Sequence, residues 1–123
     1  MNQLPRSCPP TCIHIGAYSH VPAQDILFCQ GDSNYTHVHF VKKPKMTVAT
    51  TLGILEERLT AEGFVRVNRS ELVNRNHIEN YDGYQITLSN GATLPISRRR
   101  RKGVRQCLEA WFGIFQIQGL QYA

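Results

Sequence analysis

The chain has no run of about 18 apolar residues, so no segment of it reads as a helix able to cross a bilayer. Its opening, MNQLPRSCPP, lacks the apolar core that a secretory signal carries, and a cytoplasmic location is the expectation. A glycine-rich phosphate loop, a Ser-His-Asp signature and a suitably placed pair of carboxylates are all missing, so an enzyme would need a site that these residues do not assemble. Acidic residues are scarce as well. Nine Asp and Glu stand against fourteen Lys and Arg, giving a net charge of +5, which says nothing of fold but favours a polyanionic partner. With 41% hydrophobic and 19% charged residues over 123 positions, a single globular domain with its own core is expected.

The four cysteines, Cys8, Cys12, Cys29 and Cys107, come without any secretory context, so free thiols are expected. Cys8, Cys12 and His14 in CPPTCIH place three candidate ligands within seven residues. A structural zinc site takes four ligands in two spaced pairs, and no second pair is visible. His37 and His39 share a strand face, with His77 further on, but a surface pair of this kind is more commonly hydrogen-bonded or solvated than a ligand set or an acid-base dyad. Neither metal nor cofactor is expected.

Pro5, Pro9 and Pro10 make the first ten residues a loose leader. Strands are then read at CIHIGAY, ILFCQ, YTHVHFV and MTVAT, with Gly31 to Asn34 closing the second of them. At Leu52, Leu55 and Leu59 the apolar period becomes helical. Thr51 is placed to cap the start and Gly63 to end it, which predicts one embedded helix over about 52–62. FVRV reads as a short strand. Asn74, just after Leu72-Val73, is assigned to a turn in which its amide bonds backbone, and Arg75 stays open as a phosphate contact. YQITL and ATLPI flank Asn90-Gly91, a dipeptide able to supply the positive φ angles of a tight hairpin, and Asp82-Gly83 marks another turn. Beyond Ser97, the residues Val104, Cys107, Leu108, Trp111 and Phe115 form one apolar helical stripe, predicting a C-terminal helix over about 98–115. The architecture is mainly β.

SRRRRKGVR places six cations, Arg98 to Lys102 and Arg105, in the eight positions after Ser97. A helix N-terminus already carries partial positive charge, so arginines there cost roughly a few tenths of a kcal/mol each. A nearby phosphate reverses the sign, because backbone N–H groups and guanidinium forks then favour the same anion. A solvated basic face or a nuclear-localisation label would show the same run.

The order YTHVHF, TLGILEERL, GFVRVNRSELVNRNHIE and ITLSNGATLPISRRRRK closely resembles the LytTR DNA-binding domain of bacterial response regulators, over about Asp25 to Lys102. The resemblance implies an elongated fold of small antiparallel sheets that inserts loops and strand ends, not a recognition helix, into the major groove of double-stranded DNA. Carried over by position, Asn34, Thr36 and His37 would supply one contact, Asn68, Arg69 and Ser70 a second, and Arg98, Arg99 and Arg100 a third. Arg69 and Arg99 are the residues expected at base edges, with Lys42, Lys43, Lys102 and Arg105 on phosphates. Asn68 stands where the family usually has a histidine, and the phosphoacceptor domain that usually precedes the family's match has no counterpart in the 24 residues ahead of it here.

The chain divides on this basis into a leader and first strand (1–24), the DNA-binding domain (25–105) and an apolar helix or tail (106–123). Trp111, Phe112, Ile114, Phe115, Ile117 and Leu120 exceed what one helix stripe buries, so the tail either folds back as core or joins two copies as a homodimer. A sequence-specific transcriptional regulator is the leading expectation. The alternative is an interaction module that pairs with another regulator through this tail.

Overall fold

A computed structural model describes residues 12–16 and 18–117, with side chains as far as 112. Its described strands, numbered in chain order, form three antiparallel sheets. The largest runs β5 (Met46–Val48), β4 (Tyr35–Phe40), β3 (Ile26–Asp32), β7 (Glu71–Asn74), β6 (Phe64–Asn68). β1 (Cys12–Gly16) and β2 (Ser19–Pro22) form a hairpin, and β8 (Ile78–Tyr81), β9 (Gln85–Leu88) and β10 (Thr93–Pro95) a third sheet. Two helices, α1 (Leu52–Leu59) and α2 (Arg101–Ile117), complete the architecture, which is mainly β with small antiparallel sheets as expected.

Period-2 alternation decides which side of the large sheet each residue meets. In β4, Thr36, Val38 and Phe40 are buried while Tyr35, His37 and His39 remain at least partly exposed. The buried set meets α1, whose Leu52, Leu55 and Leu59 complete one core together with Ile13 and Ile15 of the hairpin. A second core lies on the opposite face, where Phe28, Val65, Val67 and Val73 meet Ile86 and Leu88 of the small sheet and Val104 and Leu108 of α2. Trp111 and Phe112 are half-buried against this core, so the start of the apolar tail folds back onto the domain. The side chains of Ile114, Phe115 and Ile117, and Leu120 altogether, lie outside the described residues.

Several local expectations need adjustment. Thr51 does cap α1, its hydroxyl accepting from the Ile54 amide at 3.4 Å, but the regular helix stops at Leu59. Thr60–Glu62 tightens into a 3-10 turn and Gly63, at φ 89°, provides the left-handed exit. Arg98–Arg100 is likewise a 3-10 turn ahead of α2. At Asn90-Gly91 only the glycine has positive φ, 92°. Asn90 instead accepts the Ala92 amide on its side-chain oxygen at 2.9 Å, and Leu88 closes the loop through Ala92. β3 extends past the expected stop to Asp32, because the Ser33-Asn34 turn is only two residues long. β7 was not evident from sequence, since Leu72 and Val73 are both buried, one on each face of the sheet, and leave no alternation to read.

Asn74 has the turn role expected of it, and more. It is fully buried, its amide donating to the Ile26 carbonyl at 2.8 Å and the Ala23 carbonyl at 3.3 Å, while its oxygen accepts from the Asn76 amide at 3.0 Å. One side chain thus ties the start of β3 to the end of β7. Replacing it with Ala would leave these groups unpaired in the interior, so Asn74→Ala is expected to lose about 2–3 kcal/mol of stability. Urea denaturation at unchanged m-value is the measurement; a loss below about 0.5 kcal/mol would show that water replaces the amide.

Candidate nucleic-acid interface

Strand register sorts the charged residues between the two ends of the large sheet. At one end Asp32 pairs with Tyr35, Gln30 with Glu71, and the Gly31 amide donates to the Ser70 carbonyl at 2.8 Å. The Ser33-Asn34 turn and the Arg69-Ser70 loop therefore emerge side by side. Ser33 holds φ 58°, a left-handed conformation uncommon for a residue with a Cβ. Asn34 is exposed at the tip, and Tyr35 beside it is 54% exposed.

The segment after β10 is drawn to this same end by hydrogen bonds. The Ser97 amide donates to the Val67 carbonyl at 2.9 Å. Asn68 donates from its side-chain amide to the Pro95 carbonyl at 2.7 Å and to Glu71 Oε1 at 2.8 Å, while its oxygen accepts the Ser70 amide at 2.8 Å. Both Asn68 donor hydrogens are spent inside the protein. This residue, expected to contact DNA, is instead the clasp between the two loops.

The result is an open cleft of about 340 Å³ lined by Arg66, Arg69, Ser97, Arg99 and Arg100. Arg69 and Arg99 lie 30 positions apart in sequence and share it. Among the described residues, Arg66 is the only one of these arginines with a carboxylate at ion-pair distance, Glu56 at 2.7 Å. Arg69, Arg99 and Arg100 are exposed cations with no such neutralisation. Ser97 has the extended geometry of an N-cap but makes no side-chain capping bond, so its hydroxyl remains uncommitted beside the start of the basic segment. Arg98, Lys102 and Arg105 are exposed on the same segment without lining the cleft.

Thr36 does not belong to a contact surface. It is fully buried, and its hydroxyl donates to the Thr50 carbonyl at 2.6 Å, because position 36 falls on the inward side of the β4 pleat. His37 lies on the outward side but is held at both ring nitrogens, 2.7 Å from the Thr47 hydroxyl and 3.4 Å from Asp32 Oδ2. Lys42 and Lys43 follow Phe40, which pairs with Ile26 at the other end of the sheet, and Arg75 follows Asn74 at that same end. None of the three joins the arginine cleft. Lys43 Nζ sits 4.5 Å from the centre of the Phe40 ring and the Arg75 guanidinium 5.4 Å from that of Trp111, so both cations pack on aromatic rings.

Two members of the neighbourhood were not singled out in the sequence. Arg66, in FVRV, reads as an ordinary outward residue of a short strand. Tyr84 is 64% exposed with the Arg101 guanidinium 4.7 Å from its ring centre; its amide donates to Asp82 Oδ1 at 2.8 Å and its carbonyl accepts the Ile96 amide at 2.8 Å. Exposed aromatic character at a turn was the available signal.

Cys12, Cys29 and Cys107 are free thiols; Cys8 lies outside the described residues. Burial pushes the Cys29 thiol up to about 12, so it stays protonated and inert. Among the described residues no three His, Cys, Asp or Glu side chains are grouped to hold a metal ion, and no helix is long and apolar enough to cross a membrane.

Comparison with known proteins bears on the fold. Residues 16–109 match the family model of the LytTr DNA-binding domain. The Bacillus subtilis sensory transduction protein LytT is 27% identical over 93 residues, which are 72% of this chain and 38% of that protein. The chain thus spans well under half the length of this relative. A solved LytTr DNA-binding domain of a putative methyl-accepting/DNA response regulator from Bacillus cereus is similar in fold, with a TM-score of 0.65 and 23% identity, covering 80% of this chain and 94% of that one.

Away from the cleft, next to Phe40 in β4, His39 stacks on Phe28 with ring centres 4.2 Å apart and lies 3.3 Å from Gln30 Oε1. Burial, then the charges of Lys45 and His37, hold its pKa below the ordinary histidine value of 6.5. The unfolded chain consequently binds a proton at this position more readily than the folded one, and stability is lost as pH falls through the unfolded value of about 6.5. His39→Gln is expected to flatten this part of the profile, read as urea midpoints at pH 7.5 and 5.5. An unchanged difference between the two pH values would assign the dependence to other histidines.

Proposed function

The chain belongs to the LytTr DNA-binding domain family, and on that premise we propose that it is a sequence-specific, duplex-DNA-binding transcriptional regulator that inserts loops into the major groove. The single observation that carries this reading is the convergence of Arg69, Arg99 and Arg100 on one open cleft from two separate loops. Unpaired guanidinium groups at adjacent loop tips suit guanine edges, where O6 and N7 accept a bidentate fork, and suit phosphates equally well. The Ser33-Asn34 turn, at the same end of the sheet, adds a third loop to the footprint.

In this reading Arg69 and Arg99 take base edges, Asn34 and Ser70 lie alongside, and Arg98, Arg100, Lys102 and Arg105 engage the backbone. Asn68 and Thr36 act from within the protein. His37 braces the neighbouring turn through Asp32 and Thr47. Two copies on repeated half-sites, in the cytoplasm, complete the proposal. The fold has no need of a recognition helix, since the elements presented to DNA are turns held by strands.

Selection from random duplex DNA supplies the preferred sequence for the test. Arg69→Ala is then expected to weaken binding to that sequence by about 1–3 kcal/mol, with a much smaller loss on random duplex. Lys102→Ala is expected to weaken both alike and to lower the salt slope by about 1. Equal losses on both duplexes from both variants, by gel shift at fixed salt, would remove the assigned division of roles.

A further inference from the structure

We propose that Arg66 is the positioning residue of the Arg69 loop, with Glu56 as its anchor, so that helix α1 sets the base discrimination of a loop outside it. The inference rests on the DNA-binding reading above and deepens it. Arg66 lines the arginine cleft, and by charge alone it would be counted as another phosphate contact. Its bonds assign it elsewhere. Nε donates to the Asn68 carbonyl at 3.1 Å, Nη2 donates to the Arg69 carbonyl at 2.5 Å, and Nη1 donates to Glu56 Oε1 at 2.7 Å.

One guanidinium plane therefore grips two consecutive carbonyls of the reading loop and a carboxylate on α1. Only 16% of the Arg66 side chain is exposed, and its charge is the neutralised one in the cleft. α1 is fixed in turn by three buried leucines, which makes it a rigid mount for Glu56. The chain from core to DNA thus runs from the leucines through Glu56 and Arg66 to the backbone at Arg69. Asn68 grips the same loop from the other side through Pro95. Between these two holds, the loop has little freedom to swing the Arg69 side chain away from its register with Arg99. A lysine at position 66 would carry the same charge, but its single ammonium has no planar fork to span two carbonyls and a carboxylate.

The contact role and the positioning role predict opposite results when Glu56 is removed. If Arg66 met phosphate, Glu56→Ala would free its charge and tighten binding to every duplex. As a positioning device, Glu56→Ala loosens the loop and lowers the ratio of selected to random binding by about tenfold, the worth of one misaligned bidentate contact, with an unchanged salt slope. Glu56→Gln, which keeps an acceptor oxygen, should fall between the wild type and Glu56→Ala. Arg66→Lys should lower the ratio like Glu56→Ala, and the double variant no further.

A measurement on the free protein separates this inference from the DNA-binding reading. Amide hydrogen exchange at Ser70, whose amide donates to Asn68 Oδ1 at 2.8 Å, is expected to speed up about tenfold in Glu56→Ala and in Arg66→Lys, while exchange in β7 and β9 is unchanged. Unchanged exchange at the loop, or a uniform gain in duplex affinity on removing Glu56, overturns the proposal. Faster loop exchange in a protein that binds no duplex would sustain the positioning role and overturn the DNA-binding reading alone.

Discussion

The arrangement depends on bringing like charges together and keeping them there. Arg69, Arg99 and Arg100 repel one another by on the order of 1 kcal/mol per close pair even in water-like surroundings. No carboxylate pairs with them among the described residues. Their proximity is imposed by uncharged groups: the Ser97 amide on the Val67 carbonyl and the Asn68 amide on the Pro95 carbonyl. These bonds connect the end of β6 to the chain leaving β10, just where both strands have buried Val67, Leu94 and Ile96 in one core. Hydrophobic burial at about 25 cal/mol per Å² readily exceeds the repulsion, so the core holds a charge cluster that the charges themselves would disperse. An anion in the cleft would relieve the remaining repulsion.

The two sides of the large sheet divide the work. One is covered by α1 and the β1–β2 hairpin, the other by the small sheet and α2. The loops at one end receive support from both layers: Arg66 reaches α1, and Ser97 is continuous with α2. A single sheet edge could present a loop, but it could not brace that loop from opposite faces. Placing the basic turn Arg98–Arg100 ahead of α2 is costly for the helix in isolation. Val104 and Leu108, both almost fully buried, fix α2 by packing instead, so the helix tolerates cations at its start.

How much of this was legible in the sequence follows from where each signal was local. Leu52, Leu55 and Leu59 carried their own period, and Thr51 and Gly63 their own capping chemistry, so α1 could be read directly. Glu71–Asn74 could not, because a strand buried on both faces shows no alternation, and its existence depends on partners 41 to 45 residues away in β3. For the site, the arginine run and the position of Arg69 were visible, while the roles of Asn68 and Thr36 were not. Composition identifies Asn as a base reader or a loop clasp with equal ease; only Pro95, 27 residues on, distinguishes the two. Thr36 was placed by position in the resemblance, yet one step of strand parity sends it into the core beside Thr50.

The same parity explains why positive charge in the sequence is a poor map of positive charge available to a ligand. Arg66 is neutralised by Glu56, and Lys43 and Arg75 lie over aromatic rings at the far end of the sheet. What distinguishes Arg69, Arg99 and Arg100 is a loop position past the last hydrogen-bonded pair of a strand, where the side chain is released from the pleat but the backbone is still held. A duplex presents phosphates and base edges at fixed spacings, so affinity can follow the number of cations, whereas discrimination needs their relative positions fixed to within hydrogen-bond tolerance. Cations spread over a mobile tail would supply the first and not the second. Short turns clasped by Asn68 and Arg66 would supply both, and on the proposed reading it is this rigidity, more than the count of arginines, that suits the cleft to a sequence.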